Sequence, residues 1–121
     1  MSAPERDHTR SGADFLEYCL GQLQAVGPVL PRRMFGGYRL NHDGIFFGIV
    51  YKDGLYLKTD ATSRARYSAR GSVPFQPNAG QTLWSYYEVS ADIIESADML
   101  CRWADEAVAI QRARPGAARR S

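Results

Sequence analysis

Histidine and cysteine are scarce in this chain of 121 residues, which contains two of each. The four residues are His8, Cys19, His42 and Cys101, and their spacing matches no zinc-binding pattern. Neither cysteine belongs to a C-x-x-C pair, so we interpret both as reduced thiols packed in a hydrophobic core. The sequence therefore predicts neither a metal site nor a cofactor.

Long apolar segments are absent as well. The longest apolar run, residues 45–51, contains a glycine and is far shorter than the roughly 20 residues of a membrane helix. The N-terminal sequence MSAPERDHTRSG lacks the apolar segment of a secretory signal. We therefore expect a cytoplasmic protein that does not enter a membrane.

The sequence motifs of catalysis and phosphate binding are also missing. There is no G-x-S-x-G nucleophile motif, no Walker A lysine and no Rossmann glycine triplet. Gly36-Gly37 lies among predicted strand residues, without the helix N-terminus that binds phosphate, and predicts a β-bulge or a close backbone approach. His42, at a predicted hairpin tip, is interpreted as a solvated turn residue. We expect a protein that is not an enzyme and has no catalytic residues.

Two Asp-Gly pairs, Asp43-Gly44 and Asp53-Gly54, separate three short apolar runs. Asp-Gly favours type I′ hairpin turns, because their central residues need positive φ. These runs predict an antiparallel meander, and two more strands follow it. A strand that contains two prolines is expected at a sheet edge. The five predicted strands cover residues 33–40, 45–51, 55–59, 73–77 and 82–89.

Helical periodicity and capping residues predict the helices. Ser11 begins the first and Asp60 caps the second, whereas Pro115-Gly116 stops the last. Ser90 caps a short helical turn. The three longer helices cover about residues 11–26, 61–70 and 97–113. The order α-β-β-β-α-β-β-α predicts an α+β fold of two layers, with a five-stranded antiparallel sheet packed by helices.

One domain, residues 11–113, is expected between two tails. Residues 1–10 are polar and aperiodic, which indicates a disordered N-terminal tail, and residues 114–121 form a basic C-terminal tail. Charge is unevenly distributed. Residues 32–70 carry eight basic and three acidic side chains, whereas residues 71–110 carry one basic and six acidic side chains. This asymmetry favours an oriented, charged interface.

The second predicted strand is apolar on both faces, unlike strands of an antiparallel sheet that has one wet face. Strict alternation places Phe46 and Val50 on one face. It places four residues on the other: Ile45, Phe47, Ile49 and Tyr51. Both faces must then be covered, one by helices and the other by a further helix, a long loop or a partner chain.

Seven residues form the candidate interaction surface: Arg32, Arg33, Arg39, Lys58, Trp84, Tyr86 and Tyr87. Tyr86 and Tyr87 would place an aromatic ring on each face of the long strand, and such residues are enriched in protein interfaces. The favoured partner is another protein chain, including a second copy of this one in a homodimer. Nucleic acid is the alternative, because basic and aromatic residues on a sheet can bind phosphates and bases.

Four motifs occur in an order that resembles one known family. The run RRMFGGYRLNHDGIFFGIVYKDGLYLKTD is followed by the strand at Phe75, by SYYEVSAD at residues 85–92 and by a helix bearing Arg102-Trp103-Ala104. Over residues 14–113 the chain resembles the N-terminal domain of the TfoX (Sxy) family, which regulates DNA-transformation competence. The resemblance implies a two-layer α+β fold, and it implies no catalytic residues.

The same resemblance implies a role linked to competence-gene regulation, in which full-length members act with the cyclic-AMP receptor protein as co-activators. Those members carry a further C-terminal helical domain, so this chain resembles a stand-alone N-terminal domain. We expect a non-enzymatic protein-interaction and regulatory module. The first alternative is a nucleic-acid-binding protein that uses Arg32, Arg33, Arg39 and the C-terminal arginines. The second is an enzyme of unknown reaction.

Overall fold

The computed structural model describes residues 8–34, 36–78 and 80–114. Its strands form one antiparallel sheet with the order β1-β2-β3-β4-β6-β5. The strands are β1 Leu30–Met34, β2 Gly37–His42, β3 Ile45–Tyr51, β4 Gly54–Lys58, β5 Pro74–Asn78 and β6 Gln81–Glu88. The helices are α1 His8–Gln22, α2 Ala61–Ala69, α3 Ala91–Ile94 and α4 Ala97–Ala113, with a 3-10 turn at Gln24–Val26 after α1.

The predicted α+β class is confirmed, but the sheet has six strands and the expectation of five is wrong. The predicted strand at residues 33–40 is a hairpin of β1 and β2, which turns at Gly36 with φ 82°. The pattern of β1 concealed it, because a strand that contains Pro31 and two arginines has little apolar periodicity. That composition suits an edge strand, which must not attract another sheet.

Gly37 begins β2 at a point where two backbones come unusually close. A Cβ atom placed on this residue would lie 2.4 Å from the Val50 carbonyl oxygen on β3. The predicted close backbone approach is therefore confirmed here, and glycine is needed at position 37 because there is no room for a side chain. Gly36 is needed for its left-handed conformation, which other residues rarely adopt.

The two predicted Asp-Gly hairpins differ in the structure. Asp43 and Gly44 both have positive φ, 52° and 76°, as a type I′ turn requires, so the first is confirmed. The second turn lies one residue earlier than predicted, at Lys52-Asp53, and Gly54 is the first residue of β4. A Cβ on Gly54 would meet the Tyr56 ring at 3.0 Å, so this glycine makes room for an aromatic side chain.

A β-bulge in β3 overturns the predicted division of its side chains. Leu40 pairs with Gly48 and Asn41 with Phe46, so Phe47 is an extra residue on β3. Beyond the bulge the alternation is reversed. Val50 packs with Ile45 and Phe47 on the face that carries the helices, whereas Phe46, Ile49 and Tyr51 share the opposite face. We call these the first face and the second face.

All four helices contribute to the main core on the first face. Buried members come from each helix and from β2, β3, β4 and β6, and include Leu16, Tyr67, Ile93 and Leu100. Helix α1 begins at His8, so the predicted start at Ser11 is wrong, and residues 8–10 of the predicted tail are helical. The remainder of that tail and residues 115–121 lie outside the described residues.

Helix α1 ends at Gln22, earlier than the predicted end near residue 26, and a 3-10 turn follows it. The boundaries of α2 and α4 follow the predictions closely. Helix α4 has the predicted bounds, and Ser96 caps it by accepting a hydrogen bond from the Met99 backbone. Asp60 caps α2 in a reciprocal capping box with Ser63, and Gly71 follows it with φ 81°. Local hydrogen bonding therefore determines where these helices begin and end.

The second face is covered in part by the sheet itself. Phe75 of the edge strand β5 contacts Tyr51 of β3 at a ring-centroid distance of 5.3 Å, although β4 and β6 lie between them in strand order. Phe75 also lies 4.8 Å from the Tyr56 ring. The sheet must therefore curl, helped by irregular pairing between β5 and β6. Part of the second face is therefore covered by a strand of the same sheet, and not by the further helix, long loop or partner chain that the sequence led us to expect.

Candidate interaction surface

The structure places four of the seven predicted surface residues on the second face: Arg32, Arg39, Lys58 and Tyr86. Arg32 and Arg39 are directly opposite each other on β1 and β2. Lys58 and Tyr86 are opposite each other on β4 and β6. The ring contacts divide this face into two halves: Phe75 contacts Tyr51 and Tyr56 in one half, whereas Tyr86 contacts Phe46 in the other.

Phe46 and Tyr86 form an aromatic pair at the centre of this half. Their ring centroids are 5.2 Å apart, with an interplanar angle of 24°. The Arg39 guanidinium carbon lies 4.3 Å from the centre of the Phe46 ring. Since β3 lies between β2 and β6 in the sheet, Phe46 has the arginine on one side and Tyr86 on the other. Both rings are therefore largely covered.

Gln111 joins this pair to the last helix. Its Nε2 donates to the Phe46 carbonyl oxygen at 2.7 Å and to the Tyr86 hydroxyl at 3.1 Å. The sequence analysis missed this residue, although a signal was present. Gln111 follows Ala104, Ala107 and Val108 at helical spacing, so it falls on the buried side of α4.

Further cations surround the aromatic pair. Lys58 Nζ lies 5.3 Å from the Tyr86 ring centroid and donates to the Ser85 hydroxyl at 2.9 Å. Arg114 donates to Gln111 Oε1 at 2.9 Å, and Arg64 donates to the Thr59 hydroxyl at 3.4 Å. Sequence reasoning assigned Arg64 and Arg114 no place beside Lys58, because they are distant from it along the chain.

The proximity of these cations shifts the pKa values of two neighbouring side chains. Partial burial lowers the pKa of Lys58, and repulsion from Arg114 and Arg64 lowers it further. Burial raises the pKa of Tyr86, while Arg114 and Arg39 oppose that change. We define the cationic strip as Arg32, Arg39, Lys58, Arg64 and Arg114.

The other three predicted surface residues lie elsewhere. Tyr87 is 8% exposed and belongs to the core on the first face, so an aromatic ring does lie on each face of β6, as predicted. Arg33 is exposed and lies over Tyr38, whose ring packs against the first-face core. Trp84 is 68% exposed and precedes Ser85, the hydrogen-bond partner of Lys58.

A cavity of about 500 Å³ lies at a different part of the surface, among α1, the β3–β4 turn and α3. Its lining combines carboxylates with aromatic and aliphatic side chains, among them Asp14, Phe15, Tyr18, Asp53, Glu88, Ile94 and Glu95. Sequence analysis did not identify it, because its residues come from separate elements. Among the described residues, no three His, Cys, Asp or Glu side chains are grouped so that they could hold a metal ion.

His42 and the two cysteines occupy structural positions. His42 Nδ1 lies 2.7 Å from the Pro28 carbonyl oxygen and its side chain is 14% exposed, so the prediction of a solvated turn residue is wrong. Both cysteines are free and buried, as predicted. Burial raises the pKa of the Cys19 thiol from 9.0 to about 12, and the Cys101 thiol donates to the Gln22 carbonyl.

The fold defines an α+β domain in which one curled antiparallel sheet carries helices on its first face. The model of the TfoX N-terminal domain family matches residues 21–110, and the chain belongs to that family, which is linked to competence regulation. No curated protein matches the chain. Within the described ranges, no helix has the length and apolar character needed to cross a membrane.

Proposed function

We propose that this domain is a non-enzymatic regulatory module of competence control, which acts by docking another protein chain at the surface around Trp84. The exposure of that side chain carries the proposal. Trp84 is 68% exposed on a strand whose next two aromatic residues, Tyr86 and Tyr87, are buried. Tryptophan is enriched among residues that dominate binding energy, because it buries a large, rigid surface on association.

The engagement of polar groups supports a role without catalysis. His42 contacts a backbone carbonyl, the Cys101 thiol contacts another, and Ser63 completes the capping box of α2. A nucleophile needs a general base within hydrogen-bond reach, and these three side chains have structural partners instead. Membership of a regulator family points the same way.

Genetic complementation in the host tests this function. Deletion of the gene is expected to change the transcript levels of competence genes, and the intact chain is expected to restore them. Trp84→Ala should accumulate normally but fail to restore them, because it removes an exposed side chain without altering the core. Arg102→Ala, at an exposed position on α4, is the control and should restore them. Full restoration by Trp84→Ala would refute the proposed docking surface.

The proposed docking surface also allows a homodimer, in which the partner is a second copy of this chain. Light scattering during size-exclusion chromatography tests whether the homodimer forms. Homodimerisation through this surface predicts a mass of two chains at high micromolar concentration, reduced to one chain by Trp84→Ala. A single-chain mass for the wild-type protein would leave a different protein as the partner.

A further inference from the structure

The cationic strip lacks counter-charges within the described part of the chain. Three arginines outside the strip do form ion pairs with described residues: Arg66 with Glu106, Arg70 with Asp92 and Arg112 with Asp43. None of the five strip cations forms an ion pair with a described residue. The strip is therefore an excess of positive charge that the fold does not neutralise.

This arrangement is unfavourable for folding alone. Arg32 and Arg39 face each other in register, and like charges opposite one another destabilise a sheet. Lys58 is partly buried beside Arg64 and Arg114, which both repel its charge. Within the described residues the Arg39 Nε atom is buried without a hydrogen-bond partner. Such costs are expected where the charges serve a ligand rather than the fold.

The strip presents charge rather than apolar surface. The Phe46 ring is covered by Arg39 and Tyr86, and Tyr86 is 6% exposed. The centre of a protein interface is usually apolar and depleted of charged residues. Within the described part of the chain, the strip is charged and has no exposed apolar centre of this kind. An arginine that stacks on an aromatic ring keeps its N–H edge for phosphate oxygens. The ligand should therefore be recognised mainly through negative charge.

We propose that the cationic strip binds the sugar-phosphate backbone of duplex DNA without reading its bases. Single-stranded nucleic acid is usually bound by exposed aromatic rings on which bases stack, and the strip's rings are covered. Four neighbouring strands, from Arg32 on β1 to Lys58 on β4, extend about 14 Å at the usual strand spacing of about 4.8 Å. At about 3.4 Å of helix axis per phosphate in one strand, this length spans about four phosphates.

This inference goes beyond the proposed protein docking and uses other residues than Trp84. It also revises the nucleic-acid alternative drawn from the sequence. Arg32, Arg39 and the C-terminal Arg114 remain in the binding set. Arg33 leaves it because it lies with Tyr38 on the other side of the sheet, and Lys58 and Arg64 enter it. The arginines at residues 119 and 120 lie outside the described residues.

Fluorescence anisotropy of a labelled DNA duplex of arbitrary sequence, titrated with the full chain, tests the proposal. Binding should weaken steeply between about 50 and 200 mM salt, because neutralised phosphates release counterions. Arg39→Gln combined with Lys58→Gln should weaken binding about tenfold or more and lower the slope of log affinity against log salt by about 2. The control, Arg33→Gln combined with Arg102→Gln, removes the same charge outside the strip and should change affinity less than about twofold.

Three results would overturn the proposal: no duplex binding at low salt, equal losses in both double variants, or tighter binding of a single strand. A competition experiment adds polyglutamate to the protein–duplex complex at the same concentration of negative charge as the DNA. Displacement of the duplex would also overturn the proposal, in favour of an acidic protein ligand. Arg39→Lys keeps the charge, so it should retain most of the affinity for the duplex. If the loss in the charge-removing variant came from damage to the fold, Arg39→Lys would lose as much affinity as that variant. Circular dichroism melts of every variant identify such damage directly.

Discussion

Gln111 on α4 donates one hydrogen bond to the Tyr86 hydroxyl and another to the Phe46 carbonyl, and so attaches the last helix to the second face of the sheet. This side chain is 8% exposed. Buried polar groups that lose a partner cost about 1–3 kcal/mol each. The contact therefore contributes both to stability and to the position of Arg114, which hydrogen-bonds to the same glutamine.

Replacement of Gln111 by leucine should destabilise the protein by about 2–4 kcal/mol, because it leaves the Tyr86 hydroxyl and the Phe46 carbonyl without this donor. Urea unfolding measured by fluorescence gives the change in free energy. Gln24→Leu, at an exposed position, is the control and should change stability by less than about 0.5 kcal/mol. A similar loss in both variants would contradict the role assigned to Gln111.

Two glycine-to-alanine substitutions should have opposite effects. Gly37→Ala places a Cβ 2.4 Å from the Val50 carbonyl oxygen and 3.1 Å from the Tyr51 Cα, which are backbone atoms that cannot easily move away, so we expect a loss of at least about 2 kcal/mol. Gly21→Ala lies within α1, where the new Cβ would have no atom within 4 Å apart from the adjacent residues and backbone of its own helix, and it should stabilise the protein by about 0.5–1 kcal/mol. Thermal unfolding of the two variants measures both. A stable Gly37→Ala protein would disprove the close approach of β2 to β3.

Two buried tyrosines should respond differently to removal of their hydroxyl groups. The Tyr67 hydroxyl is buried and has no hydrogen-bond partner among the described residues, so Tyr67→Phe should be neutral or should stabilise by up to about 1 kcal/mol. The Tyr86 hydroxyl accepts from Gln111, so Tyr86→Phe should destabilise by about 1 kcal/mol or more. Chemical denaturation compares them. The reverse order of stability would contradict these hydrogen-bond assignments.

The capping carboxylate of α2 should make stability depend on acid pH. A hydrogen bond from the Ser63 backbone lowers the pKa of Asp60 below its ordinary value of 3.8. A lowered folded-state pKa contributes stability above the unfolded-state value, and this contribution disappears as pH falls through the folded-state value. The urea midpoint should therefore fall less between about pH 6 and pH 3 in Asp60→Asn, which caps without a charge, than in the wild type.

Asp60→Ala separates the cap from the charge in the same experiment. It should be less stable than Asp60→Asn at neutral pH, because it also removes the acceptor of the Ser63 hydrogen bond. Equal acid sensitivity in the wild type and Asp60→Asn would show that this carboxylate does not contribute to the pH dependence.

The sequence predicted well those features that depend on neighbouring residues. Asp60 and Gly71 delimit α2, and Asp43-Gly44 forms the expected turn, because capping and positive φ are local requirements. The bulge at Phe47 was not predictable from alternation. It depends on the register between β2 and β3, and it changes which face Val50 occupies.

The sequence alone therefore determined the α+β class, the edge position of the proline-containing strand β5 and the family, since these depend on local pattern and motif order. Tertiary structure decided which cations share a surface. Arg39, Lys58 and Arg114 are distant in sequence, and they meet because strands β2 and β4 and the end of α4 converge on Phe46 and Tyr86. Long-range pairing and packing, which no local pattern encodes, created the cationic strip.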